Sequence, residues 1–225
     1  LFFLLMFYGA KSLIGSTPGS GGTLSGIVVG FLMWILALFA YSDMSQDLVR
    51  ESSEGTLEQL AMSPMGLPKV LIARFIAGVG VQMAMLLTLL TVMMASTGRW
   101  LNFDVVSILP ILIVTMLGVL GLGFIFGGMA IVFKRVQSLL QVMQFVFPVM
   151  IVFPIEKFPF LRFVPLAWGN RLMNRVMVDG VAIWQMPVID LAILVVAAAA
   201  WLGLGIWVFK RFELIARTRG LLAQY

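Results

Sequence analysis

The 225-residue sequence contains no cysteine and no histidine, and only 11% of its residues are charged. Without those two residue types there are no disulfides, thiol nucleophiles or imidazole bases, and the commonest zinc and haem ligands are missing. No GxxxxGK[ST] run occurs, so the chain does not bind and hydrolyse ATP by the P-loop route. The scarcity of charge excludes a soluble enzyme, a disordered tail and a collagen. What fills the chain instead is apolar: 61% of residues, with a mean hydropathy of +1.08. Since a helix needs roughly 20 apolar residues to cross a hydrocarbon core about 30 Å thick, this composition fits an all-α, polytopic membrane bundle. The net charge of +5 does not point to nucleic acid, because the basic residues lie scattered at the ends of apolar runs and form no stripe.

Uncharged stretches run from Ser12 to Ser42, Phe75 to Gly98, Val105 to Phe133, Val136 to Ile155 and Leu191 to Phe209. Leu1 to Ala10 is a further uncharged run with no initiator Met and reads as the end of a truncated first span. The expected organisation is one transmembrane domain over 1–225. It has the end of span 1 at 1–10, span 2 at 24–42, a cytoplasmic segment at 43–68, span 3 at 69–97, span 4 at 105–133 and span 5 at 136–153. An external segment at 154–185, span 6 at 187–209 and a cytoplasmic tail at 210–225 complete it. Gly15 to Gly22 reads as a flexible outer turn.

Short cytoplasmic loops are enriched in Lys and Arg. Arg50, Lys69, Arg74, Lys134, Arg135, Lys210, Arg211, Arg217 and Arg219 fall on one side, against Lys11, Arg99, Lys157, Arg162, Arg171 and Arg175 on the other. That bias predicts a multi-pass protein of the cell's inner (cytoplasmic) membrane with both termini in the cytoplasm. Trp100 and Trp184 fall near the outer boundaries, as an aromatic belt requires.

Polar residues inside spans must find partners. Gln137, Gln141 and Gln144, at i, i+4 and i+7, share one face of span 5, and Gln82 stands alone in span 3. Two uses are open to them: hydrogen bonds to neighbouring helices, which is commoner, and lining a substrate pathway. Asp190 reads as interfacial, and no second ionisable residue lies within a span, which weakens a proton-coupled mechanism. Gly26-x-x-x-Gly30 and Gly123-x-x-x-Gly127 would let helices approach closely. The sixteen methionines show no metal-like clustering and read as adaptable packing.

Half of the acidic residues, Asp43, Asp47, Glu51, Glu54 and Glu58, are concentrated between spans 2 and 3. Thr56 with Gln59 has the form of a capping box and predicts a helix start. Leu57, Leu60 and Ala61 give that helix an apolar face, and Ser63-Pro64 ends it. It is either a surface helix on the membrane or bundle, or a docking ridge for a soluble partner.

The run Glu54-Gly55-Thr56-Leu57-Glu58-Gln59-Leu60, followed by Ser63-Pro64 and the restart into a span, resembles the loop after the second span of ABC transporter type-2 permeases. The span order and the Pro-rich outer segment extend the resemblance over nearly the whole chain. It implies that Glu54 to Leu60, with Pro64, form a coupling helix against a separate ATP-binding subunit in two copies. ATP and Mg are expected on that subunit, with no cofactor, metal or catalytic site in this chain. It further implies a second permease copy, as a homo- or heterodimer in the bilayer.

Five of the nine prolines, Pro148, Pro154, Pro159, Pro165 and Pro187, cluster around the external segment, where no straight helix runs through. After Pro165, apolar Trp168, Leu172, Met173, Val176 and Met177 interleave with polar Asn170, Arg171, Asn174, Arg175 and Asp179 as an amphipathic helix ended by Gly180. Arg175 is placed to attract Asp179 at i+4. The alternatives are a helix lying among outer headgroups or, as the resemblance implies, a re-entrant segment in which Pro165, Asn170, Arg171, Asn174 and Arg175 close the outer end of a pathway between two permeases. The functional expectation is the permease of an ATP-driven exporter. The alternatives are an ion-coupled carrier without an ATPase and a haem-exporter-like assembly subunit, whose family carries a related GSLEQL-like loop.

Overall fold

The computed structural model describes residues 20–53, 67–98, 101–132, 136–152 and 159–218. Among them all regular structure is helical, with no strand. We label the α-helices α1 (Ser20–Ser53), α2 (Leu67–Thr97), α3 (Val105–Val132), α4 (Val136–Val152), α5 (Pro165–Met177) and α6 (Val188–Thr218). Short 3-10 turns at Pro159–Phe163 and Ile183–Gln185 flank α5.

Four helices carry apolar stretches long enough to cross a bilayer: Ser25–Asp47, Lys69–Ser96, Val105–Ile131 and Val188–Ala216. The fifth expected span is α4, only 17 residues long. At a rise of about 1.5 Å per residue this described stretch is roughly 26 Å, close to a core about 30 Å thick. The expected first span lies outside the described residues. Two boundaries differ from the sequence reading. Ser20, Gly21 and Gly22 belong to α1 and not to a turn, and α1 also continues through Asp43 and Asp47 to Ser53. A helix already fixed by packing adds one hydrogen bond per extra residue, so propagation overrides weak local preferences at both ends.

Contacts fix the directions of the helices. A side chain at Gly169 would meet both Met33 of α1 and Thr115 of α3, and Gly123 of α3 faces Tyr41 of α1, so α1 and α3 run parallel. Gly118 meets Ala198 and Gly128 meets Phe209, so α6 runs parallel to both. α4 runs against them, since Gly30 faces Ile151 while Tyr41 reaches Leu140. We call the end where α1, α3 and α6 begin the upper end.

α3 is apolar all round, as a helix at the centre of a bundle is, and it packs along both α1 and α6. Its seam with α6 rests on glycine. A Cβ at Gly205 would fall within 2.8 Å of the Gly121 backbone, and one at Gly121 within 2.8 Å of Leu202 N. Only bare backbones approach this closely. α2 is peripheral: 17% of its apolar stretch is buried, against 56% for α3.

The exposed rings give the bundle a measurable height. Trp184 is 68% exposed beside the upper end, and Trp207 is 57% exposed on α6, with the Arg211 guanidinium 5.3 Å from its ring. From Val188 to Trp207 is roughly 29 Å of helix, the thickness of a hydrocarbon core flanked by aromatic belts.

Candidate functional site

Two polar constructions interrupt the apolar bundle. The first joins α1 to α4. Pro148 lies inside α4 and has no N–H to donate to the carbonyl four residues earlier, that of Gln144. Leaving such a carbonyl orphaned and shielded from water costs about 1–3 kcal/mol. Trp34 of α1 supplies the missing donor: its indole Nε1 donates to the Gln144 carbonyl at 2.9 Å. One turn below, the Tyr41 hydroxyl donates to the Leu140 carbonyl at 2.9 Å. The Tyr41 ring is held edge-on by Phe147 at 4.9 Å between centroids and by Phe126 at 6.2 Å. Beside these bonds a cleft of about 370 Å³ opens between the two helices, lined by Phe39, Tyr41, Ser42, Gln46, Gln141 and Gln144 among others. Its wall mixes aromatic carbons with amide and hydroxyl groups, a lining suited to an amphipathic molecule.

The second construction is the seat of α5. Pro165 occupies the first helical position, where its missing N–H is no loss. Its buried face, from Pro165 through Trp168 and Gly169 to Leu172, Met173, Val176 and Met177, packs against α1, α3, α4 and α6. Pro165 is deep in the bundle, because a Cβ at Gly118 would lie 2.5 Å from it and 3.1 Å from the Ala198 Cα. Ala198 is ten residues below the start of α6, roughly 15 Å. From there α5 climbs back until the Met177 carbonyl accepts from Asn102 N at 3.0 Å, beside the start of α3. Gly180, at φ +72°, turns the chain so that Val181 N returns to the Arg175 carbonyl at 3.0 Å.

Polar side chains of α5 fasten it on two sides. Asn170 Nδ2 donates to the Ile151 carbonyl at the end of α4, at 3.3 Å, and Asn174 Nδ2 donates to the Asn170 carbonyl at 2.8 Å. Towards α6, Trp168 Nε1 donates to the Asp190 carbonyl at 2.8 Å, and Arg175 pairs with the Asp190 carboxylate at 2.6 Å. The i+4 attraction to Asp179 is therefore not what orders Arg175. Asp179 is exposed beyond the end of the helix, whereas Asp190 is brought to Arg175 by the packing of α6.

Of the residues singled out in the sequence, Gln141 and Gln144 share the cleft. The side chain of Gln137 lies outside the described residues, and Gln82 sits half-buried on α2, apart from the cleft. Pro165, Asn170, Arg171, Asn174 and Arg175 all lie on α5. Glu54, Gly55, Thr56, Leu57, Glu58, Gln59, Leu60 and Pro64 lie outside the described residues. Sequence reasoning missed Trp34 and Tyr41. Pro148 signalled an unsatisfied carbonyl, but no local pattern points from it to a tryptophan 110 residues earlier. It also missed Trp168 and Asp190 as the other half of the α5 anchor. Gly26, Gly30 and Gly123 meet Asn174, Ile151 and Tyr41 of their own chain.

No curated protein and no solved structure gives a significant match to the chain. The sequence profile described as ABC-2 family transporter protein matches residues 11–207, a stretch that takes in every helix of the bundle except the lower end of α6. With its four long apolar helices this is a multi-pass membrane protein, and the chain belongs to the ABC-2 transporter membrane family.

Proposed function

We propose that this chain is the permease subunit of an ATP-driven exporter, working with a second permease copy and driven by a separate ATP-binding subunit. The family membership carries the reading, and the Glu54 to Leu60 run, with Pro64, supports a coupling helix at the lower end. The depth of Pro165 supports a re-entrant α5 that closes the upper, external end of the pathway, with Asn170 and Arg175 tying it to α4 and α6. The cleft holding Gln141 and Gln144 supports a substrate route along the α1–α4 face, and its mixed lining favours hydrophobic or amphipathic cargo. ATP and Mg²⁺ belong to the partner subunit. In this scheme ATP-driven closure of the partner pair moves the coupling helix, and the motion passes up α1 and α2 to the α1–α4 contact.

The test is purification from the native membrane in mild detergent, comparing wild type with Leu57→Arg. An ATPase should accompany the wild type and be lost from the variant while the variant's helical circular dichroism is retained. Absence of any ATPase from the wild type, under conditions that preserve other membrane complexes, would turn the search to ion gradients.

A further inference from the structure

Arg162 is an exposed cation at an unexpected depth. It lies in the 3-10 turn Pro159–Phe163, whose Phe163 carbonyl accepts from Trp201 Nε1 at 2.8 Å. The turn leads directly into Pro165, roughly 15 Å below the start of α6. Its backbone therefore sits near the middle of a hydrocarbon core bounded by Val188 and Trp207. The guanidinium is drawn upward, its Cζ 5.8 Å from the Trp168 ring centroid, a ring that is itself tied to Asp190 near the top of α6. This is the geometry of a side chain that snorkels towards the headgroup layer. Among the described residues no carboxylate meets Arg162, since Asp190 is taken by Arg175. A second guanidinium, that of Arg171, lies 5.6 Å from the same ring.

A cation facing lipid at this depth is expensive and is relieved by anionic groups or water drawn into the bilayer. The surroundings specify which. Phe160 and Phe163, on either side of Arg162, are 64% and 66% exposed, and Val196 on the adjoining helix is 63% exposed. A free anion gains nothing from such walls. A molecule with a phosphate head and acyl chains matches both the charge and the apolar flanks.

We propose that Arg162, stacked on Trp168, holds the phosphate of a phospholipid of the upper leaflet, with its acyl chains along Phe160, Phe163 and Val196. Guanidinium and phosphate make two parallel charge-assisted hydrogen bonds, so this lipid is retained when the bulk bilayer is exchanged for detergent. The site needs only that the bundle lie in a bilayer. Failure of the transport reading would leave it standing, and its own failure would leave transport untouched.

Native mass spectrometry of the detergent-purified chain, titrated with palmitoyl-oleoyl phosphatidylglycerol, tests the site. Wild type should carry one tightly held lipid per chain, with apparent affinity falling about tenfold in Arg162→Gln, the order expected for losing a charge-assisted contact. Arg162→Lys, which keeps the charge and loses the planar fork, should fall between them. Phe160→Ala/Phe163→Ala should also weaken binding. Equal lipid retention by wild type and Arg162→Gln, at equal melting temperature, overturns the proposal. Displacement of the lipid by millimolar inorganic phosphate also overturns it, because the site would then be one for a free anion.

Discussion

Gly205→Ala is the sharpest test of the packing described above, because α6 supplies its own control two residues away. At Gly205 the added methyl would lie within 2.8 Å of the Gly121 carbonyl carbon and Cα and closer still to the carbonyl oxygen, all of them backbone atoms that no rotamer change can move aside. Overpacking of this kind costs about 1–3 kcal/mol, and more when only backbone can yield. The same change recovers up to about 1 kcal/mol of helix propensity. Close-crossing Cα–H···O contacts, worth perhaps 0.5–1 kcal/mol each, are lost as the helices separate. The net expectation is a loss of about 2–3 kcal/mol. At Gly203 a Cβ meets nothing within 4 Å, so Gly203→Ala keeps only the propensity gain and is neutral to about 1 kcal/mol stabilising. The two single-methyl substitutions should therefore differ by about 3 kcal/mol, more than a hundredfold in the unfolding equilibrium. Titration with sodium dodecyl sulfate in mixed micelles, followed by far-UV circular dichroism and tryptophan fluorescence, reads that difference without a thiol dye, which a cysteine-free chain cannot take up. Equal midpoints for the two variants would refute the close α3–α6 seam.

The donor role of Trp34 predicts a coupling. Trp34→Phe should cost about 1–2 kcal/mol by stranding the Gln144 carbonyl, and much of that cost should disappear in a Pro148→Ala background, where residue 148 regains an N–H. A double-mutant cycle in the same titration that shows strict additivity would rule the relation out. Arg175→Gln and Asp190→Asn should each lower stability by about 1–3 kcal/mol, as expected for a partly shielded charge-assisted bond. Their effects should combine to little more than either alone, and full additivity would separate the two side chains. If the α1–α4 cleft carries substrate, Gln141→Leu/Gln144→Leu should reduce transport in inside-out vesicles severalfold while leaving ATPase co-purification intact. Unchanged transport would assign both amides to packing.

How far the sequence could be read depended on how local each signal was. The long apolar runs marked α1, α2, α3 and α6, and Pro165 with the amphipathic pattern behind it marked α5, because those features depend on periodicity within one segment. The partners of α5 were not legible. Arg175 has a suitable carboxylate at i+4 in Asp179, yet it pairs with Asp190 across a helix contact that only the tertiary fold creates. Glycine spacing was informative only in part, for a similar reason: Gly123 does let α1 approach, its added Cβ falling 3.3 Å from the Ala40 and Tyr41 backbone. α3 holds glycines at 118, 121, 123, 127 and 128, and the G-x-x-x-G pattern picked out Gly123, which faces α1, while the α6 seam uses Gly118, Gly121 and Gly128. Which glycine matters is set by where the neighbouring helix lies, and that is absent from the pattern of a single helix.

The parallel course of α1, α3 and α6 also has an electrostatic consequence. Each helix presents the equivalent of about half a positive charge at its first turn and half a negative charge at its last. Three helices starting together therefore concentrate about one and a half positive charges at the upper end, partly offset by the C-terminal ends of the antiparallel α4 and of α5, which also lie there. The chain answers with carboxylates at two of the three starts. Asp104 caps α3, its carbonyl accepting from Ser107 N and Ile108 N at 3.1 and 2.9 Å and its carboxylate from Ser107 Oγ at 2.5 Å, and Asp190 stands in the first turn of α6. At the opposite end Arg50 lies in the last turn of α1. Asp104, Asp190 and Arg50 thus each match the polarity of the helix end they occupy. Replacing Asp104 and Asp190 together would leave the upper mouth a positive field that draws anions and repels cations.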